Sequence, residues 1–107
     1  MKDWIDIATT DELQAGEHKS FEIGYEQIIL FNIDGEYYAL QDHCTHDGGI
    51  LSDGVIDAEQ IICSRHGARY CIKTGEVKGP PAFESIATFP LRIQDNVIQI
   101  KPEPVFV

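Results

Sequence analysis

Cys44-Thr45-His46-Asp47-Gly48-Gly49 and, further on, Cys63-Ser64-Arg65-His66-Gly67-Ala68 are the stretches that decide how this chain is read. Sixteen residues separate His46 from Cys63, so two cysteine-histidine loops stand apart on a chain that otherwise patterns as sheet. Thiolates are soft ligands and neutral imidazoles borderline ones, so two of each suit zinc or iron-sulfur chemistry and disfavour magnesium or calcium. Structural zinc sites usually draw two ligands of one kind from each knuckle, at C-x2-4-C and H-x3-5-H spacings. Here each pair is mixed, C-x-H in the first and C-x2-H in the second. A two-iron centre needs two ligands per metal, and opposed loops that each give a cysteine to the inner iron and a histidine to the outer one meet that need. Mononuclear zinc and a metal-free domain are the competing readings.

The same residues carry a resemblance. C-T-H followed by C-S-R-H-G is similar to the Rieske [2Fe-2S] signature, and residues 30–100 resemble the small soluble Rieske ferredoxins, with Gly48, Gly49, Gly67 and Gly79-Pro80-Pro81 among the matching positions. The resemblance implies an all-β fold, a Rieske-type antiparallel β sandwich or barrel with a cluster-binding subdomain of two hairpin loops. It further implies a single domain over 1–107, with its cluster-binding part at 42–83, and one Rieske [2Fe-2S] cluster per chain. The implied ligands are Cys44, His46, Cys63 and His66, and a third loop at Gly79-Pro80-Pro81 covers the cluster. The function implied is that of an electron carrier rather than an enzyme. Such a component takes single electrons from an NADH-dependent flavoprotein reductase and passes them to the terminal oxygenase of a ring-hydroxylating dioxygenase system. The Rieske-like small subunit of an assimilatory nitrite reductase, a Rieske protein of some other redox system and a zinc-stabilised interaction module are the alternatives.

Charge explains why two histidines would replace two cysteines. Four thiolates around an oxidised two-iron core leave a dianion, whereas two thiolates and two neutral imidazoles leave a neutral centre that accepts an electron more readily. Rieske potentials accordingly run from roughly -150 to +300 mV, above the plant-type value near -400 mV. The high-potential members of the resembled family have cysteines, joined as a disulfide, at the positions of Gly49 and Arg65, and a serine at the position of Ala68. This chain has none of these. Tyr70 matches the high-potential type, so one hydrogen bond to a cysteine sulfur is expected and a potential in the lower half of the range.

Composition narrows the partners. A net charge of -10 on 107 residues argues against nucleic acid and against an anionic membrane surface. Met1-Lys2-Asp3-Trp4 does not read as a signal leader, and no run of about 18 apolar residues occurs, so a soluble cytoplasmic protein is expected. Three cysteines, two of them in the motif, argue against a disulfide framework. Residues 1–62 hold 14 acids against Lys2 and Lys19, whereas residues 63–107 hold 6 bases against 4 acids. Arg65, Arg69, Lys73 and Lys78 read either as ordinary solvated charge or as a positive rim, led by Arg65 and Arg69, that would orient partners.

Along the chain, Trp4 to Ala8 alternates as a strand with Trp4 as a core anchor, and Thr9 to Leu13 could cap one helical turn. His18 lies among polar residues and reads as a surface turn. Strands are expected at Ser20–Ile23, Gln27–Ile33 and Glu36–Gln41, with Asp34-Gly35 as a two-residue hairpin. Further strands are expected at Val55–Asp57, Gln60–Ile62, Ala68–Ile72, Ile86–Ile93 and Val97–Lys101, with Pro102 and Pro104 ending the sheet. His43 is next to Cys44 but points away from it in an extended loop, and Cys71 reads as a structural thiol. Gly48 and Gly49 would let backbone N–H groups turn toward the centre. No phosphate loop, dinucleotide fingerprint or catalytic triad spacing occurs.

Overall fold

Ile28-Ile29-Leu30-Phe31 is an unbroken apolar run, and in the computed structural model, which describes residues 4–106, all four side chains are fully buried. A strand with one wet face alternates; a strand covered on both faces does not. The reading of Met1–Asp3 lies outside the described residues. Among those described, ten strands occur in chain order: β1 (Ile5–Thr9), β2 (His18–Ile23), β3 (Glu26–Ile33), β4 (Glu36–Gln41), β5 (Val55–Asp57), β6 (Gln60–Ile62), β7 (Arg69–Cys71), β8 (Val77–Gly79), β9 (Leu91–Gln94) and β10 (Val97–Ile100). They form three antiparallel sheets, β1-β10-β9, β2-β3-β4 and β5-β6-β7-β8. The fold is all-β, as expected.

The apolar run sits in β3, the centre of the middle sheet. Its Ile28 and Leu30 side, with Ala39 of β4, packs on the first sheet through Ile7, Leu91, Ile98 and Ile100. Its Ile29 and Phe31 side, with Leu40, packs on Leu51, Ile61, Tyr70 and Ile72, together with both motif cysteines. The cysteine loops are therefore built directly on the hydrophobic core. Each large aliphatic or aromatic side chain so buried contributes about 1.5–3 kcal/mol.

Turn chemistry matches the sequence. Asp34 and Gly35 both adopt positive φ (53° and 89°), the demand of a two-residue hairpin. Buried Asn32 completes that corner. Its side-chain NH2 donates to the Leu13 carbonyl at 2.8 Å, and its Oδ1 accepts from the Gly35 N–H at 2.8 Å. Thr10–Glu12 forms a single 3-10 turn, capped by Thr9 and Glu12.

Several expectations are corrected. Trp4 is only half buried and lies under the Arg92 guanidinium at 4.4 Å and the Lys101 Nζ at 5.5 Å, so it is a partly exposed partner of two cations rather than a core anchor. The expected strand at Ile86–Ile93 is split. Residues 86–89 run beside β4 (the Gln41 N–H donates to the Ala87 carbonyl at 2.8 Å), and β9 begins at Leu91 in a different sheet. Pro90, which has no N–H, marks the crossing. The last strand ends at Ile100, before Pro102 as expected, but an isolated bridge follows the prolines, in which Val105 and Thr88 exchange backbone hydrogen bonds at 2.8 Å. β8 was not foreseen, because only three residues separate the Gly75 turn from its end-marking glycine-proline run. No helix among the described residues is long and apolar enough to cross a membrane.

Candidate metal centre

The two ligand loops are built on one backbone pattern. In the first, the Cys44 N–H donates to the Gly49 carbonyl (2.8 Å) and the Gly48 N–H donates back to the Cys44 carbonyl (2.7 Å). In the second, the Cys63 N–H donates to the Ala68 carbonyl (2.8 Å) and the Gly67 N–H to the Cys63 carbonyl (3.0 Å). Each loop thus closes with the same two bonds, and each needs a left-handed residue four places after its cysteine. Gly48 and Gly67 supply it at φ 77° and 76°.

Each loop leaves its cysteine at the bottom and its histidine at the tip. Cys44 and Cys63 are buried (0% and 1% exposed), whereas His46 and His66 are exposed, their ring centroids 4.8 Å apart. The ligand atoms of Cys44, Cys63 and Asp47 lie within 4.8 Å of one another, and so do those of His46, His66 and Asp47. The four residues expected from the sequence are therefore brought together as an inner sulfur pair and an outer imidazole pair. That donor set fits a two-iron cluster with two ligands for each metal, and the mixed loops suit no zinc knuckle. His43 belongs to neither group, and its backbone N–H donates to the Gln41 carbonyl.

Burial pushes the Cys63 thiol up, against the pull of the Arg65 and His66 backbone N–H groups, and adjacent Cys44 adds to the rise. A pair of thiolates this close is thus unfavourable by itself, and a cationic metal would reverse the balance by displacing the protons. Tyr70 stands directly behind. Its hydroxyl is 3.7 Å from Cys44 Sγ, accepts from the Thr45 N–H at 2.9 Å and lies 2.9 Å from Thr45 Oγ1. Thr45 Oγ1 in turn donates to the Glu84 carbonyl at 2.7 Å, which ties in the segment after Gly79-Pro80-Pro81. Ala82 of that segment is buried in the core group that includes both cysteines. The expected sulfur hydrogen bond is present, and the residues that follow Pro81 pack against the first loop.

Three supporting groups escaped the sequence reading. Asp42 is buried (6% exposed), and one carboxylate oxygen accepts from the Leu51 and Ser52 N–H groups at 2.6 and 2.9 Å. His18 is no turn residue: it begins β2, packs on Phe31 and bonds the Ser52 carbonyl through Nε2 at 2.7 Å. Gly54 passes so near β6 that a Cβ would lie 2.2 Å from the Ile62 carbonyl oxygen. An acid just before the first cysteine was the available signal for Asp42; nothing local marked His18.

The basic run also differs from its sharper reading. Arg65 pairs with Asp47 (2.5 Å), Arg69 with Asp57 (3.1 Å), Lys73 with Glu59 (3.2 Å) and Lys78 with Glu76 (2.8 Å). Arg65, Arg69 and Lys73 meet acids that folding brings to them, and Lys78 meets Glu76 two residues away, so the run is paired charge rather than a bare positive rim. Cys71 is half buried beside the Lys73–Gly75 turn. Burial raises its thiol pKa, but the Thr74 hydroxyl and the Thr74 and Lys73 N–H groups outweigh it and the net shift is downward.

The family model described as the Rieske [2Fe-2S] domain matches residues 3–90. The chain belongs to the Rieske [2Fe-2S] domain family. A biphenyl dioxygenase ferredoxin subunit from a Pseudomonas species is 38% identical over 93 residues, which cover 86% of this chain and 85% of that one. The ferredoxin component of a Rhodococcus jostii biphenyl 2,3-dioxygenase is 33% identical, with 91% of each chain covered. Among solved structures, a Sphingomonas yanoikuyae B1 ferredoxin superposes with a TM-score of 0.87 at 27% identity, over 94% of this chain and all of that one. This Rieske protein is accordingly a ferredoxin, an electron-transfer protein whose cofactor is a Rieske [2Fe-2S] cluster. Zinc-stabilised and nitrite-reductase readings give way to that assignment.

Proposed function

We propose that Cys44 and Cys63 hold the inner iron and His46 and His66 the outer iron of one cluster per chain. In this reading residues 1–107 form one Rieske domain with its cluster-binding part at 42–83. The chain carries single electrons in the cytoplasm from an NADH-dependent flavoprotein reductase to the terminal oxygenase of a ring-hydroxylating system. The observation that carries the reading is the sorting of the donors, with thiols buried against Tyr70 and imidazoles exposed at 4.8 Å between centroids. The ferredoxin subunits of biphenyl dioxygenases among its relatives supply the oxygenase partner.

When bound, the cluster supplies a one-electron couple, and the chain's own residues decide where that electron can leave. The thiol side is sealed by Tyr70, Leu51 and Ala82, so only the histidine tips offer a short route to a partner. Ile50, four residues after His46, and Phe83, next to the Glu84 that holds Thr45, are exposed apolar side chains that a docking partner would cover. No catalytic residue is assigned to the chain.

Purified protein should contain two irons and two sulfides and give a Rieske-type EPR signal on reduction. His46→Ala should abolish that signal. A colourless protein with one metal ion would refute the ligand assignment. Failure to accept electrons from any such reductase, with an intact cluster, would refute only the partners.

A further inference from the structure

Arg65 has every guanidinium nitrogen turned to the other loop. Its Nε donates to Asp47 Oδ2 (2.5 Å), one terminal nitrogen donates to Asp47 Oδ1 (3.1 Å) and to the Ile50 carbonyl (2.8 Å), and the other lies 3.6 Å from Asp53. Those partners span the whole exit of the first loop. The guanidinium is seated on Gly49, where a Cβ would lie 2.7 Å from it. Gly49 is thus a glycine for reasons of room, and its N–H donates to Asp47 Oδ1 at 2.9 Å rather than turning toward the centre. Asp47 is itself at the site, with Oδ2 3.8 Å from His66 Nδ1.

We propose that Arg65 is a positioning residue of this ferredoxin: seated on Gly49, it clasps the two ligand loops together and cancels the Asp47 carboxylate beside the outer pair. An exposed ion pair on a single loop would contribute little. This one joins the loop between β4 and β5 to the loop between β6 and β7 and places a negative charge next to an imidazole ligand. The charge of each partner acts on any electron added to the outer metal, with opposite signs. The pair held together adds almost no net field, so the loops are joined without penalising reduction.

The inference rests on the ligand assignment above, which the iron, sulfide and EPR measurements on the unaltered chain decide independently. With that centre in place, midpoint potential and cluster retention under a chelator are compared for four variants. Arg65→Gln leaves Asp47 uncompensated, and the expected result is a lower potential and a cluster lost several-fold faster. Asp47→Asn leaves the guanidinium uncompensated, with faster loss but a higher potential. The double variant returns the potential close to that of the unaltered chain while the loss stays fast. Arg65→Lys keeps the charge without the fork, so it preserves the potential and not the retention. Potentials of Arg65→Gln and Asp47→Asn that do not move, or move to the same side, overturn the proposal. So does unaltered retention in Arg65→Gln, or a folded Asp47→Asn and Arg65→Lys that both fail to take up a cluster.

Discussion

Set the Cys44 loop beside the Cys63 loop. Both close with a pair of backbone hydrogen bonds four and five residues from the cysteine, and both turn on a glycine near φ 76–77°. Around that shared frame they diverge. The first is held from behind by Tyr70, from its exit by Asp42 and His18, and from the side by the Glu84 carbonyl. The second runs straight into β7 and has the β6 to β7 pairing as its support. The histidine is two residues after the cysteine in one loop and three in the other. A similar backbone can thus present a ligand from either place, and the side chains around it decide how firmly it is held.

The comparison can be broken by experiment. If the loops are equal as ligand donors, Cys44→Ala and Cys63→Ala should each remove iron and sulfide entirely, as counted on the purified protein. Retention of a full cluster by either would remove that loop from the site. Asp42→Ala strikes the first loop only, because it leaves two N–H groups, those of Leu51 and Ser52, without their acceptor. At about 1–3 kcal/mol for each such buried group, the expected loss is on the order of 2–3 kcal/mol, read as a lower midpoint in urea unfolding. The shared frame is tested by Gly48→Ala and Gly67→Ala. No atom lies within 4 Å of either added Cβ, so only conformational strain is introduced, and the two should cost the same, about 1–2 kcal/mol. Unequal costs would show that the frames differ.

Smaller effects sharpen the contrast. Tyr70→Phe removes the hydroxyl near Cys44 Sγ, which has no counterpart behind Cys63 among the described residues; voltammetry should show a lower potential with the cluster retained, and stability should fall by about 1 kcal/mol. The clasp between the loops gives a pH test of known sign. The Arg65 hydrogen bonds, then the Gly49 N–H, hold the Asp47 carboxyl well below its ordinary value of 3.8. A depressed carboxyl contributes stability that is present above its unfolded pKa and fades as the pH falls through the lower folded value. The melting-temperature gap between the unaltered chain and Asp47→Asn should therefore hold from pH 7 to pH 4 and narrow only below. A gap that closes above pH 4 would mean the carboxyl is not held by the clasp.

How much was legible varied with the range of the interaction. The gathering of Cys44, His46, Cys63 and His66, the Asp34-Gly35 hairpin and the β5 and β6 strands were readable because motif spacing, positive-φ turns and strand patterning are local. The role of Tyr70 came through resemblance. Asp42 had only its place before Cys44 to mark it and His18 had no local mark: each acts on Leu51 or Ser52, which the chain brings to them only after the loop has folded back. The choice between the two readings of the basic run was not legible for a related reason, since charge counted along the chain does not show that Asp47, Asp57 and Glu59 will fold back to meet it.

The amino-acid sequence by itself determined the chemistry of this ferredoxin, because thiolate and imidazole donors at these spacings suit a two-iron centre whatever surrounds them. Tertiary structure decided the rest: which donors are sealed from water and which stand in it, and that Arg65 reaches across Gly49 to Asp47. Burial and through-space charge depend on segments distant along the chain, and only packing on the shared core sets those distances.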